Sequence, residues 1–331
     1  MHLGIDAGNS KTAALVCRSD GRIAGAGRSG CGDIYGAART PDAINAVLEA
    51  VRQAVTESSV RLDMITTSAF RLAGVDWPED LALWKQVLAR ELPELTHVSI
   101  LNDGFAPIRC GEPSGIAVAI VVGTGYAMAG RGPTGAEWAL SWWGNDLLGA
   151  AGLGHDALRA ACRQDLGLGP PTTLTRALLT IYQQDTIEDV LHMFTCREGR
   201  RRWQDKGNVA REVLAAARNG DPVASGIIDR HANRLAEYAR LTAAKAGFDP
   251  TGDMVPVILA GSVLTADHSP MVTALSRELV QYMPLCRTLI SDMPPVAGAT
   301  LDAIAEAGRP ITRNTLTALN DSLPTEELLR T

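Results

Sequence analysis

Single aspartates and short glycine loops recur in this chain at the places where strands should end. Asp103 follows the apolar, β-prone run Val98–Leu101 within Asn102-Asp103-Gly104, so it belongs at a strand's carboxyl end, the edge where open α/β sheets bind ligands. A carboxylate there can accept the proton of an attacking hydroxyl. Just beyond it, Ile116–Val122 reads as a buried strand, ends in Gly123-Thr124-Gly125 and resumes at Tyr126–Ala129, a hairpin with a glycine tip. The N-terminus repeats the arrangement. Leu3–Asp6 is followed by Ala7-Gly8-Asn9-Ser10-Lys11 and then by Thr12–Cys17, which reads as strand, tight turn, strand.

A glycine tip lets consecutive backbone N–H groups approach an anion, because no Cβ obstructs it and positive φ is tolerated. Both loops therefore suit phosphate oxygens. Asp6, beside the first, suits a Mg²⁺ held mostly through waters and those oxygens. Gly261-Ser262, after the buried run Val255–Ala260, allows close approach of a nucleotide base or ribose. Taken singly, each loop also reads as an ordinary turn and each aspartate as a cap; the combination is what points to phosphoryl chemistry.

Other chemistries find no support. Neither Gly-x-x-x-x-Gly-Lys-Ser/Thr nor Gly-x-Gly-x-x-Gly after the first strand is present. There is no Gly-x-Ser-x-Gly and no His-x-x-x-His, which argues against serine hydrolysis and a catalytic metal centre of the zinc type. The cysteines Cys17, Cys31, Cys110, Cys162, Cys196 and Cys286 are scattered without a Cys-x-x-Cys pair, as expected of free thiols in a reducing compartment.

The elements that must position these residues can be read in order. Leu3 to Gly27 forms an antiparallel meander, a helix starts at Thr40-Pro41, and Asp63–Ala69 is a strand. Leu81–Leu88 has helical spacing before the strand at Val98, so the first half reads βββαβαβ. After Ala129, the Trp-rich segment Glu137–Gly144 enters a glycine-rich turn, Gly149–Gly154, which opens a helix over His155–Asp165 and suits a hinge. Helices dominate 174–247. A strand at Val255–Ala260, a helix over Pro270–Met283, a short strand near Arg287–Ser291 and a helix over Val296–Glu306 follow.

The meander with its glycine turn thus occurs twice, and two similar halves facing each other would place both turns in one cleft. The expected division is residues 1–105, residues 106–295 with a helical insertion over about 155–247, a terminal helix 296–308 returning to the first half, and a polar tail, 309–331, with no assigned function.

With 331 residues, 46% of them hydrophobic and 21% charged, the chain can bury the cores of two domains. A net charge of −6 with mixed signs offers no footprint for nucleic acid or an anionic membrane. The one basic run, Arg197–Arg202, reads as a solvated loop. No basic leader or long apolar run is present, so a cytoplasmic protein is expected.

Taken in order, Gly4–Thr12, Leu101–Gly104, Val122–Gly125 and Leu259–Ser262 resemble the phosphate-1, connect-1, phosphate-2 and adenosine elements of the actin-like ATPase superfamily. The resemblance is nearest to its N-acetylglucosamine kinase and BadF/BadG-type ATPase family and spans nearly the whole chain. It implies an α/β fold of two ribonuclease-H-like domains closing on MgATP and a sugar or amino sugar, and a homodimer.

By position, the resemblance assigns Asp6 to the metal and Asp103 as the base. Gly8, Asn9, Ser10, Lys11 and Thr12, with Gly123, Thr124 and Gly125, go to the phosphates, and Gly261 and Ser262 to adenosine. Asp33, Gly74, Trp143, Gly144 and Asp146 go to the acceptor. Two departures stand out. Where those kinases carry Gly-Asp-Glu-Gly-Ser, this chain has Gly149-Ala150-Ala151-Gly152-Leu153, leaving Asp146 as the nearby substitute acid, and the early acceptor loop Ser29–Tyr35 lacks the usual Asn. Three functions stay open: a sugar kinase, an ATPase driving a partner protein, and a nucleotide-binding regulator that has lost catalysis. The scattered thiols argue against ATPases that share an iron–sulfur cluster between subunits.

Overall fold

The computed structural model describes residues 1–325. Two five-stranded mixed sheets flanked by helices make up the chain. The first comprises β1 (His2–Ala7), β2 (Thr12–Cys17), β3 (Ile23–Ser29), β4 (Thr67–Leu72) and β5 (Val98–Asn102) in the order β3-β2-β1-β4-β5. The second comprises β6 (Ala117–Val122), β7 (Tyr126–Arg131), β8 (Glu137–Ala139), β9 (Pro256–Ala260) and β10 (Arg287–Ile290) in the order β10-β9-β6-β7-β8.

The two orders are one topology used twice. In each, the first three strands form an antiparallel meander, and the fourth and fifth add in parallel on the other side of the first. The repetition noticed around the glycine turns therefore extends to the whole sheet. Both sheets direct the carboxyl ends of their central strands, β1 and β6, into a hairpin.

Helices α1 (Thr40–Ser58) and α2 (Pro78–Glu91) cover the first sheet. Helix α1 puts Val47, Leu48, Val51 and Ala54 into a core with Leu3, Ile5, Phe70 and Trp84, the one-sided apolar stripe expected of a surface helix. A short helix, α3 (Ile108–Gly111), links the sheets. Helices α4 (Gly149–Asp165), α5 (Leu174–Tyr182), α6 (Ile187–Thr195), α7 (Ala210–Arg218), α8 (Pro222–Lys245) and α9 (Pro270–Tyr282) share the second sheet's core. Helix α10 (Pro295–Glu306) lies on β1, close enough that a Cβ on Gly4 would meet the Thr300 backbone nitrogen at 2.3 Å.

Two local expectations are corrected. Gly149–Gly154 is not a free turn before a helix at His155 but the first turns of α4 itself. Its glycines serve close approach: a Cβ on Gly152 would lie 2.1 Å from the Leu147 carbonyl and one on Gly154 1.8 Å from that of Lys206. Glycine normally weakens a helix interior, and here tertiary packing overrides that preference. The strand expected from Asp63 begins at Thr67, because Leu62–Met64 forms a 3₁₀ turn.

The polar tail carries a helix. Helix α11 (Arg313–Asp321) starts at a Thr312 capping box and buries Leu319 against Cys17, Leu301 and Ile304. The remainder of the tail, residues 326–331, lies outside the described residues.

Candidate active site

The tips of the two hairpins touch. Ser10 Oγ and Thr124 Oγ1, from opposite halves of the chain, share a hydrogen bond at 3.2 Å. Within the first loop, Gly8 N donates to the Lys11 carbonyl at 2.9 Å, and the Gly8 carbonyl accepts from Gly32 N at 3.0 Å. The second loop is held from behind. Ala150 N and Ala151 N, in the first turn of α4, donate to the carbonyls of Gly123 and Thr124 at 2.9 and 3.0 Å. That satisfies two N–H groups a helix start would otherwise leave unpaired, and it turns the loop's carbonyls toward α4. The N–H groups of Thr124 and Gly125 donate to nothing among the described residues.

Gly149 permits this junction: its φ is +81°, and a Cβ would lie 2.3 Å from the Gly125 carbonyl. Gly261 plays the same part at the end of β9. Its φ is +90°, a Cβ would meet the Val122 carbonyl at 2.5 Å, and Val263 N donates to that carbonyl at 3.0 Å. Exposed Ser262 therefore sits beside the second hairpin.

Asp6 is the last residue but one of β1, and Asp103 opens the 3₁₀ turn that follows β5. Enclosure pushes the Asp6 carboxyl up to about 6, partly offset by Lys11, while the Lys11 ammonium is itself lowered by burial. Asp103 is raised well above the ordinary carboxylate range, first by enclosure and then by the charges of Asp6, Asp33 and Asp76.

Asp33 is held by Asn9 Nδ2 at 3.1 Å and by the Tyr35 N–H at 2.9 Å. Gly74 packs against it, with space for a Cβ only 2.9 Å from Asp33 Oδ1. Asp76 accepts from Asn102 Nδ2 at 2.9 Å. It too is raised, chiefly by enclosure, with the Ser141 hydroxyl of the other half offsetting part of that rise. Tyr35 and Trp142 meet edge to face at 5.6 Å, so the halves touch at a second place.

Asp76 was missed by sequence reasoning, although a signal was available. It follows β4, which lies between β1, bearing Asp6 near its end, and β5, with Asp103 just beyond it, and three neighbouring parallel strands thus carry acids at one sheet edge. Tyr35 closes the early acceptor loop and Trp142 belongs to the Trp-rich segment, but their contact joins residues from different halves, so no local pattern reveals it.

The other residues assigned by resemblance have the following surroundings. The Thr12 hydroxyl is buried and donates to the Gly30 carbonyl at 3.0 Å. Asp146 accepts from Tyr238 Oη at 2.5 Å and pairs with Arg234 at 3.3 Å, which ties it to α8. Gly144 lies against Tyr126 Oη, and Trp143 is 70% exposed.

This geometry has known relatives. The model of the BadF/BadG/BcrA/BcrD ATPase family matches residues 3–303. The chain belongs to that family. An N-acetyl-D-glucosamine kinase of Dictyostelium discoideum is 25% identical over 313 residues, covering 91% of this chain and 97% of that protein.

Among solved structures, a Chromobacterium violaceum protein provisionally titled an N-acetylglucosamine kinase aligns with a TM-score of 0.67 at 20% identity, over 92% of this chain and 98% of that one. A ROK family glucokinase from Streptomyces griseus, solved with glucose and AMPPNP, aligns at 0.54 and 19% identity, over 91% and 97%. These likenesses show that the fold is shared with those two proteins.

For this family member, the raised Asp6 has a measurable consequence. An unfolded aspartate titrates near about 3.9, so between that pH and about 6 the folded chain holds a proton that the unfolded one does not. Stability contributed through Asp6 therefore falls as pH rises through this window, and the whole cost is present above it. Asp6→Asn should stabilise the nucleotide-free protein by about 1–3 kcal/mol at pH 7.5, after allowance for partial exposure, and by little at pH 4. Urea denaturation at the two pH values checks this; a variant less stable than wild type at pH 7.5 would contradict it.

Proposed function

We propose that the chain is an ATP-dependent kinase that transfers the γ-phosphoryl group of MgATP to a hydroxyl of a sugar or amino sugar. The observation that supports this most directly is the contact between Ser10 and Thr124. It joins two anion-suited hairpins at the cleft edge where Asp6 and Asp103 end their strands. Family membership and the sugar-kinase relatives support the same reading.

In this mechanism the free N–H groups of the second hairpin, with Ser10, Lys11 and the first hairpin's backbone, hold phosphate oxygens. Asp6 is an enclosed carboxylate beside Lys11, whose ammonium is itself disfavoured by burial, so the site fits a Mg²⁺ ion, which when bound supplies positive charge at those oxygens. Asp103 accepts the hydroxyl proton as the oxygen attacks; its raised pKa makes it a stronger base nearer neutral pH. Gly261 and Ser262 flank the nucleoside.

At the acceptor end, Asp33, Asp76 and Asp103 form no salt bridge among the described residues. That favours an acceptor supplying donors, hydroxyls or a protonated amine. A cytoplasmic homodimer belongs to the same proposal.

Product analysis with MgATP and glucose, glucosamine, N-acetylglucosamine and their C2 and C4 epimers tests the reading. Sugar phosphate should form in step with ADP, with glucosamine preferred to its N-acetyl derivative. Free phosphate alone, at a rate that no sugar raises, would replace the kinase with an ATPase.

A further inference from the structure

Outside the cleft, one buried aspartate gathers three arginines. Asp302 of α10 is 1% exposed. Its Oδ2 accepts from Arg71 Nη2 at 2.8 Å and Nε at 3.0 Å, and its Oδ1 from Arg109 Nε at 2.6 Å and Arg131 Nη1 at 3.1 Å. Glu306 takes a second contact from Arg71 at 2.8 Å, and Glu137 one from Arg131 at 2.6 Å. Three guanidinium groups are thus matched by three carboxylates. The members come from β4 in the first sheet, β7 and β8 in the second, α10, and α3 between them.

These elements enclose the turn that bears Asp103. A Cβ on Gly104 would approach the Ala129 Cβ and Met128 backbone of β7 at 3.2 Å, and one on Gly298 of α10 would lie 1.9 Å from the Ala106 carbonyl. The Arg131 guanidinium stands 5.7 Å over the Phe105 ring. Arg109 belongs to the same short segment and is fixed at both ends, donating to the Pro113 carbonyl at 2.6 Å as well as to Asp302. Arg71 lies opposite Leu101 in the strand pairing, two residues before Asp103.

We infer that Arg131 and Asp302 are positioning residues for phosphoryl transfer: they fix the segment from Asp103 to Arg109 against both sheets and so aim the Asp103 carboxylate. The inference rests on Asp103 being the base. A planar guanidinium holds Asp302, Glu137 and the Phe105 face together, which a lysine cannot do, and small displacements of a reacting group cost catalysis steeply.

The test measures sugar phosphate formation with MgATP and glucose, glucosamine or N-acetylglucosamine, in Arg131→Met and Arg131→Lys, alone and combined with Asp103→Asn. Arg131→Met should lower kcat about 10- to 100-fold, with KM for ATP within about twofold, and Arg131→Lys should recover part of the loss. In the Asp103→Asn background the same change should cost less than about threefold, because no base remains to be misplaced.

Hydrogen exchange should quicken over 102–109 in Arg131→Met and stay unchanged in the α5–α7 helices. An equal loss in both backgrounds, or full activity in Arg131→Met, overturns the inference and leaves the kinase standing. Wild-type turnover in Asp103→Asn removes the base assignment and the inference with it. Unchanged exchange over 102–109 overturns it even where no acceptor is phosphorylated.

Discussion

Asp103→Asn is expected to lower the rate of sugar phosphate formation by a factor of several hundred or more, while ATP affinity stays nearly unchanged. General-base catalysis contributes about 10²–10⁴-fold, and the Asn amide keeps the side chain's size while losing its ability to take a proton. The turn should survive the change, because its hydrogen bonds come from Asn102, whose Oδ1 accepts from Gly104 N at 2.9 Å, and from the Asp103 carbonyl, which accepts from Ala106 N at 3.0 Å. The nucleotide contacts proposed for the two hairpins are on other segments. A loss confined to kcat, with the KM for ATP unmoved, therefore identifies a group acting only in the transition state. Normal turnover in this variant would eliminate Asp103 as the base.

Arg71→Met should destabilise the fold by about 3–5 kcal/mol, the effect of stripping a partner from a buried ion pair. Arg71 is fully buried and spans Asp302, Glu306, Ser99 and the Phe70 carbonyl. Methionine fills much of the volume but leaves Asp302 with fewer donors in a place water does not reach. The cost arises from that stranded charge more than from lost attraction, since burying the charges was itself unfavourable.

Asp302 also sets a pH signature. Burial alone would raise its carboxyl, but Arg71, followed by Arg131 and Arg109, holds it at about 2. A folded pKa below the unfolded value of about 3.9 means that this contribution is present above that pH and is lost as pH falls toward about 2. Denaturant titrations at pH 7 and pH 3 check both points. A variant within about 1 kcal/mol of wild type at pH 7 would show that the network is dispensable to stability.

These variants probe features that differ in how far the sequence exposed them. The hairpin tips were legible because strand, glycine turn and strand are local patterns, set by β-propensity and by the backbone freedom of Gly8, Gly123 and Gly125. The acids at strand ends were legible for the same reason, although Asp76, set back behind Gly74 and Val75, escaped notice. Resemblance then supplied roles by position, but not the hydrogen bonds that Thr12 makes to Gly30 and Asp146 to Tyr238, which join residues distant in the chain.

Gly149–Gly154 shows the limit most plainly. Composition alone reads as a flexible turn, and only the carbonyls of Leu147, Lys206 and Gly125 packed against it explain why a helix there needs glycine. By itself, the sequence determined most of the order of strands and helices, though not β8, α3 or α11, together with the two glycine loops, the aspartates beside them and a doubled α/β plan, because each depends on neighbours within a few residues. The tertiary structure decided that Ser10 meets Thr124, that Asp33 and Asp76 join Asp6 and Asp103 in one field, and that Asp302 ties Arg71 to Arg131. Such contacts join residues far apart in the chain, and their energies depend on packing and dielectric surroundings that exist only once the sheets have come together.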